Sequence, residues 1–510
     1  MLNSGYQNLP SAGPKREALR KKGQFWTPDW IAEAMVGYLI AGDCQGLFDP
    51  AVGAGTFFRA AKRLASETNR VLTLSGTEID PCPLEEALIS GLSRSDVANV
   101  QIRDFVLDPP KGSYDGIVAN PPYIRHHRLP SSTKSQLGAL STRLVGKPLD
   151  GRAGLHIYFL VRALQLLDEN GKLAFIMPAD TCEGVFARDL WQWITTNYCL
   201  EAVVTFTPEA TPFPGVDTNP VIFMITNAPP KEYFLWVECR QPNTKQLKRW
   251  TLSGFSEAGE ALIVHKRRLS EALSIGLSRP PAENISFDLT LSTFAETMRG
   301  VATGANDFFF LTQEQASFIG IPSEFLVPAI GRTRDVPGNE VTTETIEALR
   351  RAGRPTLLLS LDSRPIDQFP KQVQDYLRRG VEMGISKRTL ISTRRPWYKM
   401  EKRSTPPILF AYLGRRNARF IRNVAKVLPL TGFLCVYPHQ EDRDFVDRLY
   451  KVLQHPKTVS NLALVGKSYG SGAIKVEPRA LERLPLPPEV VGEVGLVSNK
   501  KYEQMSLGLL

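Results

Sequence analysis

Apolar residues in the first half of the chain follow two alternating rhythms. Short runs rich in β-branched and aromatic residues recur as QGLFDP (45–50), VLTLSGTEID (71–80), NVQIRDF (99–105), YDGIVANPPY (114–123), GKLAFIMP (171–178), LEAVVTFT (200–207) and NPVIFMITN (219–227). Their length and flanking turn residues predict seven strands. Between them, stretches such as DWIAEAMVGYLIA (29–41) and HIYFLVRALQLLDE (156–169) repeat apolar positions at helical spacing. Strand, crossover helix, strand is the pattern of an α/β fold, so the expectation is one open, Rossmann-like, doubly wound sheet of parallel strands. Such sheets bind ligands beyond the carboxyl ends of their strands.

The alternation fades after two proline-rich connections, NAPPKE (227–232) and LSRPPAEN (277–284), between which the sequence reads as irregular. The expected organisation is a catalytic domain over 14–285 and a second domain over 286–510. In the latter, GVATGANDFFFLT, PPILFAYL and TGFLCVYPH suggest a mixed α+β architecture.

With 510 residues, 43% of them hydrophobic and 22% charged, the chain can bury the cores of two or three domains. It has no apolar run near the roughly 20 residues of a membrane-spanning helix and no apolar core of a signal peptide at its start. A cytoplasmic protein without a membrane partner is expected. The six cysteines are scattered without a CxxC pair, which suggests neither a disulfide framework nor a thiolate zinc site.

Charge changes the picture more. Of a formal +10, a net +9 lies between residues 394 and 426, where Arg394, Arg395, Lys399, Lys402, Arg403, Arg415, Arg416, Arg419, Arg422 and Lys426 face the single acid Glu401. Trp397, Tyr398, Tyr412 and Phe420 are interleaved with them. Cations for phosphates beside flat rings for sugars or bases make this segment the candidate nucleic-acid surface, the alternative being a solvated basic face.

The chemistry sits at the strand ends. DPAVGAG, with Asp49, Pro50, Ala51, Gly53 and Gly55, is a tight turn from strand to helix that lets backbone approach a ligand, and without a following GK[ST] it is not a phosphate loop. Glu78, ending the second strand, suits the two hydroxyls of a ribose. Asp104 and Phe105 after the third strand offer an acceptor and a ring face to an adenine.

Asn120-Pro121-Pro122-Tyr123 follows the fourth strand. An aryl amine is a poor nucleophile because its lone pair is delocalised into the ring. Acceptors on both of its hydrogens, the Asn120 side-chain oxygen and the Pro121 carbonyl, draw the nitrogen toward tetrahedral geometry and free that pair, and two prolines hold the acceptors in aim. Tyr123 can stack on the ring being held. The substrate nitrogen is the nucleophile, so neither a Ser/His pair nor a metal is needed, and His126 and His127 show no ligand spacing.

With these residues in view, the chain resembles the gamma-class, Taq I-like DNA adenine-N6 methyltransferases of bacterial restriction-modification systems. The likeness runs through GQFWTPDWIAEAM, DPAVGAG, Glu78, Asp104-Phe105 and NPPY, in the order cofactor motifs, catalytic loop, recognition domain that defines the class. It implies a class I methyltransferase sheet with a C-terminal target-recognition domain and S-adenosylmethionine as methyl donor. It further implies Thr27 and Pro28 near the donor's methionine part, Pro122 on the cofactor side of the catalytic loop, and Phe213, in TPFPGVDTNPVIFMI, against a flipped base, the alternative for Phe213 being a core aromatic on the approach to a strand. Double-stranded DNA is the implied partner. MRGVATGANDFFFL, RRPWYKM and SYGSGAIKVEPRALERLPLP resemble features of such recognition domains. One departure stands out: Gly154-Leu155-His156 replaces the Asp-Leu-Tyr helix start frequent in the class.

NPPY also occurs in methyltransferases acting on release-factor glutamine and on ribosomal RNA, so alone it identifies an amide-like or aryl amine acceptor. The large basic segment and the Thr27-Pro28 motif favour DNA over those. A specificity protein with a relic catalytic half is the other alternative, opposed by the intact NPPY. Some 20 residues before the first motif leave no room for a nuclease domain, so any cognate restriction endonuclease is expected as a separate chain.

Overall fold

A computed structural model of the chain describes residues 26–183, 186–214, 216, 219–281, 289–411, 418–469 and 473–497. All seven expected strands form: β1 (Gly46–Asp49), β2 (Thr73–Glu78), β3 (Val100–Ile102), β4 (Tyr114–Ala119), β5 (Leu167–Pro178), β6 (Cys199–Phe206) and β7 (Pro220–Thr226). They lie in the order β3-β2-β1-β4-β5-β7-β6. β1 to β5 pair in parallel, whereas β7 runs antiparallel to both β5 and β6. The all-parallel expectation fails there because the described residues between β6 and β7 carry no α-helix, and strands without a crossover helix pair antiparallel.

Two more strands widen the sheet to nine. β8 (Tyr233–Cys239) pairs in parallel with β6, and β9 (Leu262–Arg268) pairs antiparallel with β8. Both fall in the stretch that reads as irregular. β9, at the sheet edge, carries His265, Lys266, Arg267 and Arg268 in seven residues, and charge of that kind blunts an edge while erasing the apolar alternation.

The two-residue period of the strands sorts side chains onto two faces. Leu173, Phe175 and Met177 of β5 join one cluster with the helices Leu155–Gln165 and Ala187–Asn197. Ala174 and Ile176 join the other, with the helices Asp29–Ile40, Thr56–Thr68 and Lys245–Leu252. The helix expected to run to Glu169 stops at Gln165, where Tyr114 of β4 donates its amide to the Leu166 carbonyl and Leu167 enters β5. Sheet pairing thus overrides an apolar rhythm that continues without a break through Leu166 and Leu167.

By proximity the chain divides into Met1–Pro281 with Ser468–Gly472, and Ala282–Lys467 with Ala473–Leu510. The second unit is α+β. One five-stranded sheet runs in the order Ala295–Arg299, Phe433–Pro438, Ile408–Ala411, Arg419–Asn423, Glu340–Val341, and one four-stranded sheet in the order Phe310–Leu311, Leu357–Leu359, Leu326–Ile330, Leu428–Pro429. Phe294, Phe410, Leu434 and Leu449 centre the core between the first sheet and the helix Arg443–Gln454. Phe308, Leu358, Val373 and Leu377 centre the core that includes the helix Lys371–Glu382. No helix among the described residues is long and apolar enough to cross a membrane.

Candidate active site

Four adjacent parallel strands, β3-β2-β1-β4, bring the expected chemistry to one edge. Asp49 is the last residue of β1 and Glu78 the last of β2; Asp104 lies two residues beyond β3, and Asn120 follows β4 directly. Between β1 and the helix Thr56–Thr68 the chain turns at Gly53 and Gly55, whose φ of +53° and +73° favours glycine. The Gly53 amide donates to Glu78 Oε2 at 2.8 Å. Glu78 Oε1 accepts the amides of Ile79 and Asp80 at 2.8 and 3.1 Å, so one acceptor position remains, on Oε2. Thr77 Oγ1 donates to the Pro50 carbonyl at 2.8 Å and binds the turn to β2 from below.

Asp49 is wholly buried. Its Oδ1 accepts the Ala51 amide at 2.9 Å, while its Oδ2 has no hydrogen-bond partner among the described residues. Burial, reinforced by the nearby charge of Glu78, pushes its carboxyl from the ordinary 3.8 up to about 8. The site therefore holds a proton at neutral pH unless a cation arrives.

Beside this cradle, the Asn120 Nδ2 donates to Thr27 Oγ1 at 3.1 Å, joining two motifs 93 positions apart. Thr27 is 8% exposed, and Pro28, next to it, accepts the Ile31 and Ala32 amides that start the helix Asp29–Ile40. With its nitrogen directed at Thr27, the carboxamide turns its oxygen to the opposite side. Pro121 is buried and Pro122 half-buried; the Ile124 amide folds back onto the Pro122 carbonyl at 2.9 Å, tightening the loop. Tyr123 is pinned by its hydroxyl, which donates to the Ile176 carbonyl of β5 at 3.1 Å, and burial raises its pKa well above the usual value.

Two expected ring faces are placed differently. Phe105 is 2% exposed and packs between Phe48 and Phe159 at 5.9 and 5.3 Å, a core position with no open face. Phe213, 4% exposed, belongs to the cluster on the other side of the sheet. Neither continues an apolar run, Phe105 following Arg103-Asp104 and Phe213 standing between Pro212 and Pro214, yet a large aromatic ring is readily claimed by a core. Asp104 uses Oδ1 for the amides of Val106 and Leu107, at 2.9 and 3.0 Å. His156, not among the expected site residues, lies with its ring 5.9 Å from that of Tyr123. The departure from Asp-Leu-Tyr was its only trace in the sequence.

The basic segment divides. Arg394 donates to the Ala302 carbonyl and lies over Phe309; Arg403 pairs with Glu401 and reaches the Arg299 carbonyl. Arg419 donates to the carbonyls of Val336 and Gly338, and Arg422 pairs with Asp447 at 2.6 Å. These four hold their own unit together. Arg395, Lys399, Lys402 and Lys426 are exposed, whereas Arg415, Arg416 and Tyr412 lie outside the described residues. Tyr398 and Phe420 are buried in the core, which removes them as faces for bases, whereas Trp397 is half-buried and packs on Phe308 and Phe309. No group of three His, Cys, Asp or Glu poised to hold a metal occurs among the described residues.

Sheet order and strand-end residues together define a class I, S-adenosylmethionine-dependent methyltransferase fold with an added C-terminal domain. Comparison with known proteins narrows this. Residues 86–213 match the family model of the Eco57I restriction-modification methylase, and residues 284–506 that of the C-terminal domain of Type II methyltransferase M.Eco57I. Type II methyltransferase M.AccI of Acinetobacter calcoaceticus is 25% identical over 499 residues, covering 95% of this chain and 88% of that protein. M.XamI of Xanthomonas campestris pv. amaranthicola is also 25% identical, over 92% of this chain and 85% of its own. The type IIL restriction-modification enzyme MmeI, solved in complex with DNA, shares the fold with a TM-score of 0.52 at 13% identity, over 94% of this chain and 73% of that one. The chain belongs to the type II restriction-modification methyltransferases and is a DNA methyltransferase.

Proposed function

We propose that the chain transfers a methyl group from S-adenosylmethionine to the exocyclic N6 amine of adenine in double-stranded DNA, the base being turned out of the helix into the NPPY loop. The observation that carries this reading is the hydrogen bond from Asn120 to Thr27. It couples the loop that would hold the amine to the motif that would hold the methionine end of the donor, and it orients the Asn120 oxygen as an acceptor.

The residues fit that donor. The glycine turn, the spare acceptor position on Glu78 for a ribose hydroxyl, the Asp104 carboxylate for the adenine amine and the unpartnered Asp49 oxygen form a cradle suited to a cationic nucleoside. When bound, S-adenosylmethionine supplies a methyl group activated by its sulfonium. The chain's own residues do the rest. Asn120 Oδ1 and the Pro121 carbonyl accept the two amine hydrogens, Tyr123 stacks on the base, and Pro122 separates the two ligands. So held, the amine nitrogen would be aimed in line at the donor's methyl group, whose bond to sulfur would break as the new N–C bond forms, with one amine proton passing to solvent, a displacement that calls for neither a metal nor a covalent intermediate on the protein. The domain from about residue 286 onward would read the target, with Arg395, Lys399, Lys402 and Lys426 on phosphates. A cognate endonuclease would be a separate chain, and the enzyme would work in the cytoplasm on nucleoid DNA.

Sequencing modified bases in DNA from cells expressing the chain tests substrate and target site together. N6-methyladenine at one recurring sequence is expected. Methylation found on ribosomal RNA instead would replace the reading. Asn120→Ala should slow turnover a hundredfold or more, from loss of about 2–4 kcal/mol of transition-state stabilisation, with cofactor affinity changed only a few fold.

A further inference from the structure

His156 occupies the first turn of the helix Leu155–Gln165, immediately behind the NPPY loop, and is 4% exposed. Neither ring nitrogen has a hydrogen-bond partner among the described residues. Unmet polar atoms at such depth are rare and costly, and each asks for an explanation. The two nitrogens face different neighbours. Nδ1 looks onto Gly154, where a Cβ would stand only 2.8 Å away. Nε2 looks toward Asp180 Oδ1 at 4.0 Å, about 1 Å beyond hydrogen-bond length. Asp180 lies two residues past β5, its side chain 63% exposed. The imidazole meets Tyr123 edge-on at an interplanar angle of 69°. The Tyr123 hydroxyl is itself held by Ile176 of β5. Gly154 completes the arrangement: Leu155 donates to the Ile124 carbonyl at 2.9 Å, an approach a side chain at position 154 would obstruct.

We propose that His156 is a positioning residue for the methyl-accepting base, closing onto Asp180 when the base enters and thereby fixing the Tyr123 ring against which the base stacks. This rests on the adenine reading of the NPPY loop. A planar base gains from stacking only if the ring beneath it is held. The bond to Ile176 fixes Tyr123 at the far end of its ring, and the imidazole braces the ring itself. Burial lowers the proton affinity of His156, with Asp180 opposing and Arg125 assisting, so the ring is neutral at physiological pH and presents one N–H for Asp180.

The test uses the full chain with S-adenosylmethionine and unmethylated genomic DNA of the expression host, comparing wild type, His156→Phe, Asp180→Ala, which leaves no acceptor for the imidazole N–H, and the double variant. His156→Phe keeps a ring in the core, and Asp180 is too exposed for its loss to unfold the chain. Each single variant should lower kcat/KM for DNA tenfold or more while the cofactor Kd stays within twofold, and the double variant should be no worse than the poorer single one. Multiplying effects, a near wild-type Asp180→Ala enzyme, or an equal loss of cofactor affinity would overturn the inference alone. A wild-type enzyme that methylates no DNA adenine would overturn the reading beneath it, and the inference with it.

Discussion

Replacing Asp49 by asparagine probes the cradle through its most perturbed group. Asp49 is fully buried, has one satisfied and one unsatisfied oxygen, and holds its proton up to about pH 8 instead of 3.8. The unfolded chain releases that proton near pH 4, whereas the folded, ligand-free chain keeps it to about pH 8. Between those values the native state binds one proton more than the unfolded state, so stability falls as pH rises. One proton corresponds to at most about 1.4 kcal/mol per pH unit, levelling off above the folded value. The asparagine side chain of Asp49→Asn has the same shape, keeps an acceptor for the Ala51 amide and does not titrate. Urea unfolding of both proteins at pH 5, 6 and 7 without cofactor, followed by tryptophan fluorescence, measures the difference; six of the seven tryptophans lie before residue 281 and report the catalytic unit. The variant should gain on the wild type by about 1 kcal/mol per pH unit. Saturating S-adenosylmethionine should flatten the wild-type slope, because a bound cation favours the ionised carboxylate. Parallel curves for the two proteins across this range would refute the assignment of a buried, protonated acid at the glycine turn.

Glu78→Ala should raise the cofactor Kd at least tenfold while leaving kcat at saturating cofactor within a few fold, as calorimetric titration and single-turnover methylation would measure; it removes the acceptor of the Gly53 amide as well as the proposed ribose contact. Reversing the exposed pair Lys399 and Lys402 to glutamate should weaken binding to all DNA sequences and flatten the dependence of log Kd on log salt, sparing cofactor affinity; an unchanged slope would remove them from the DNA surface. Arg422→Ala should instead lower the thermal stability of the second unit modestly, since Asp447 loses its 2.6 Å partner and keeps only Arg443 at 3.8 Å, with little change in salt slope.

Much of the catalytic half was legible because its signals are local. A strand, a tight turn and a helix start each occupy a few consecutive residues, so the sequence alone places Asp49, Glu78 and Asn120 at strand ends and Gly53 in the turn after the first strand. Aromatic residues were less legible. Phe105, Phe213, Tyr398 and Phe420 sit in motifs or basic stretches that suit ligand contact, yet each fills a core, and periodicity does not reveal which neighbour a ring will meet. β9 was hidden for the opposite reason: an edge strand needs charge, and charge masks the pattern by which strands are recognised.

By itself the sequence determined the succession of seven strands along the chain, the strand-end positions of the acids and of NPPY, and the class of chemistry, because alternation and turn composition act over distances of a few residues. Only the tertiary structure decided that Thr27 meets Asn120 across 93 positions, that Asp49 is sealed from water beside Glu78, and that His156 stands unpartnered among the described residues behind Tyr123. It also decided which arginines of the basic segment are engaged in their own unit and which lysines are exposed. Each of these depends on which distant backbone closes against the residue, and burial, hydrogen bonding and charge are set by that closure.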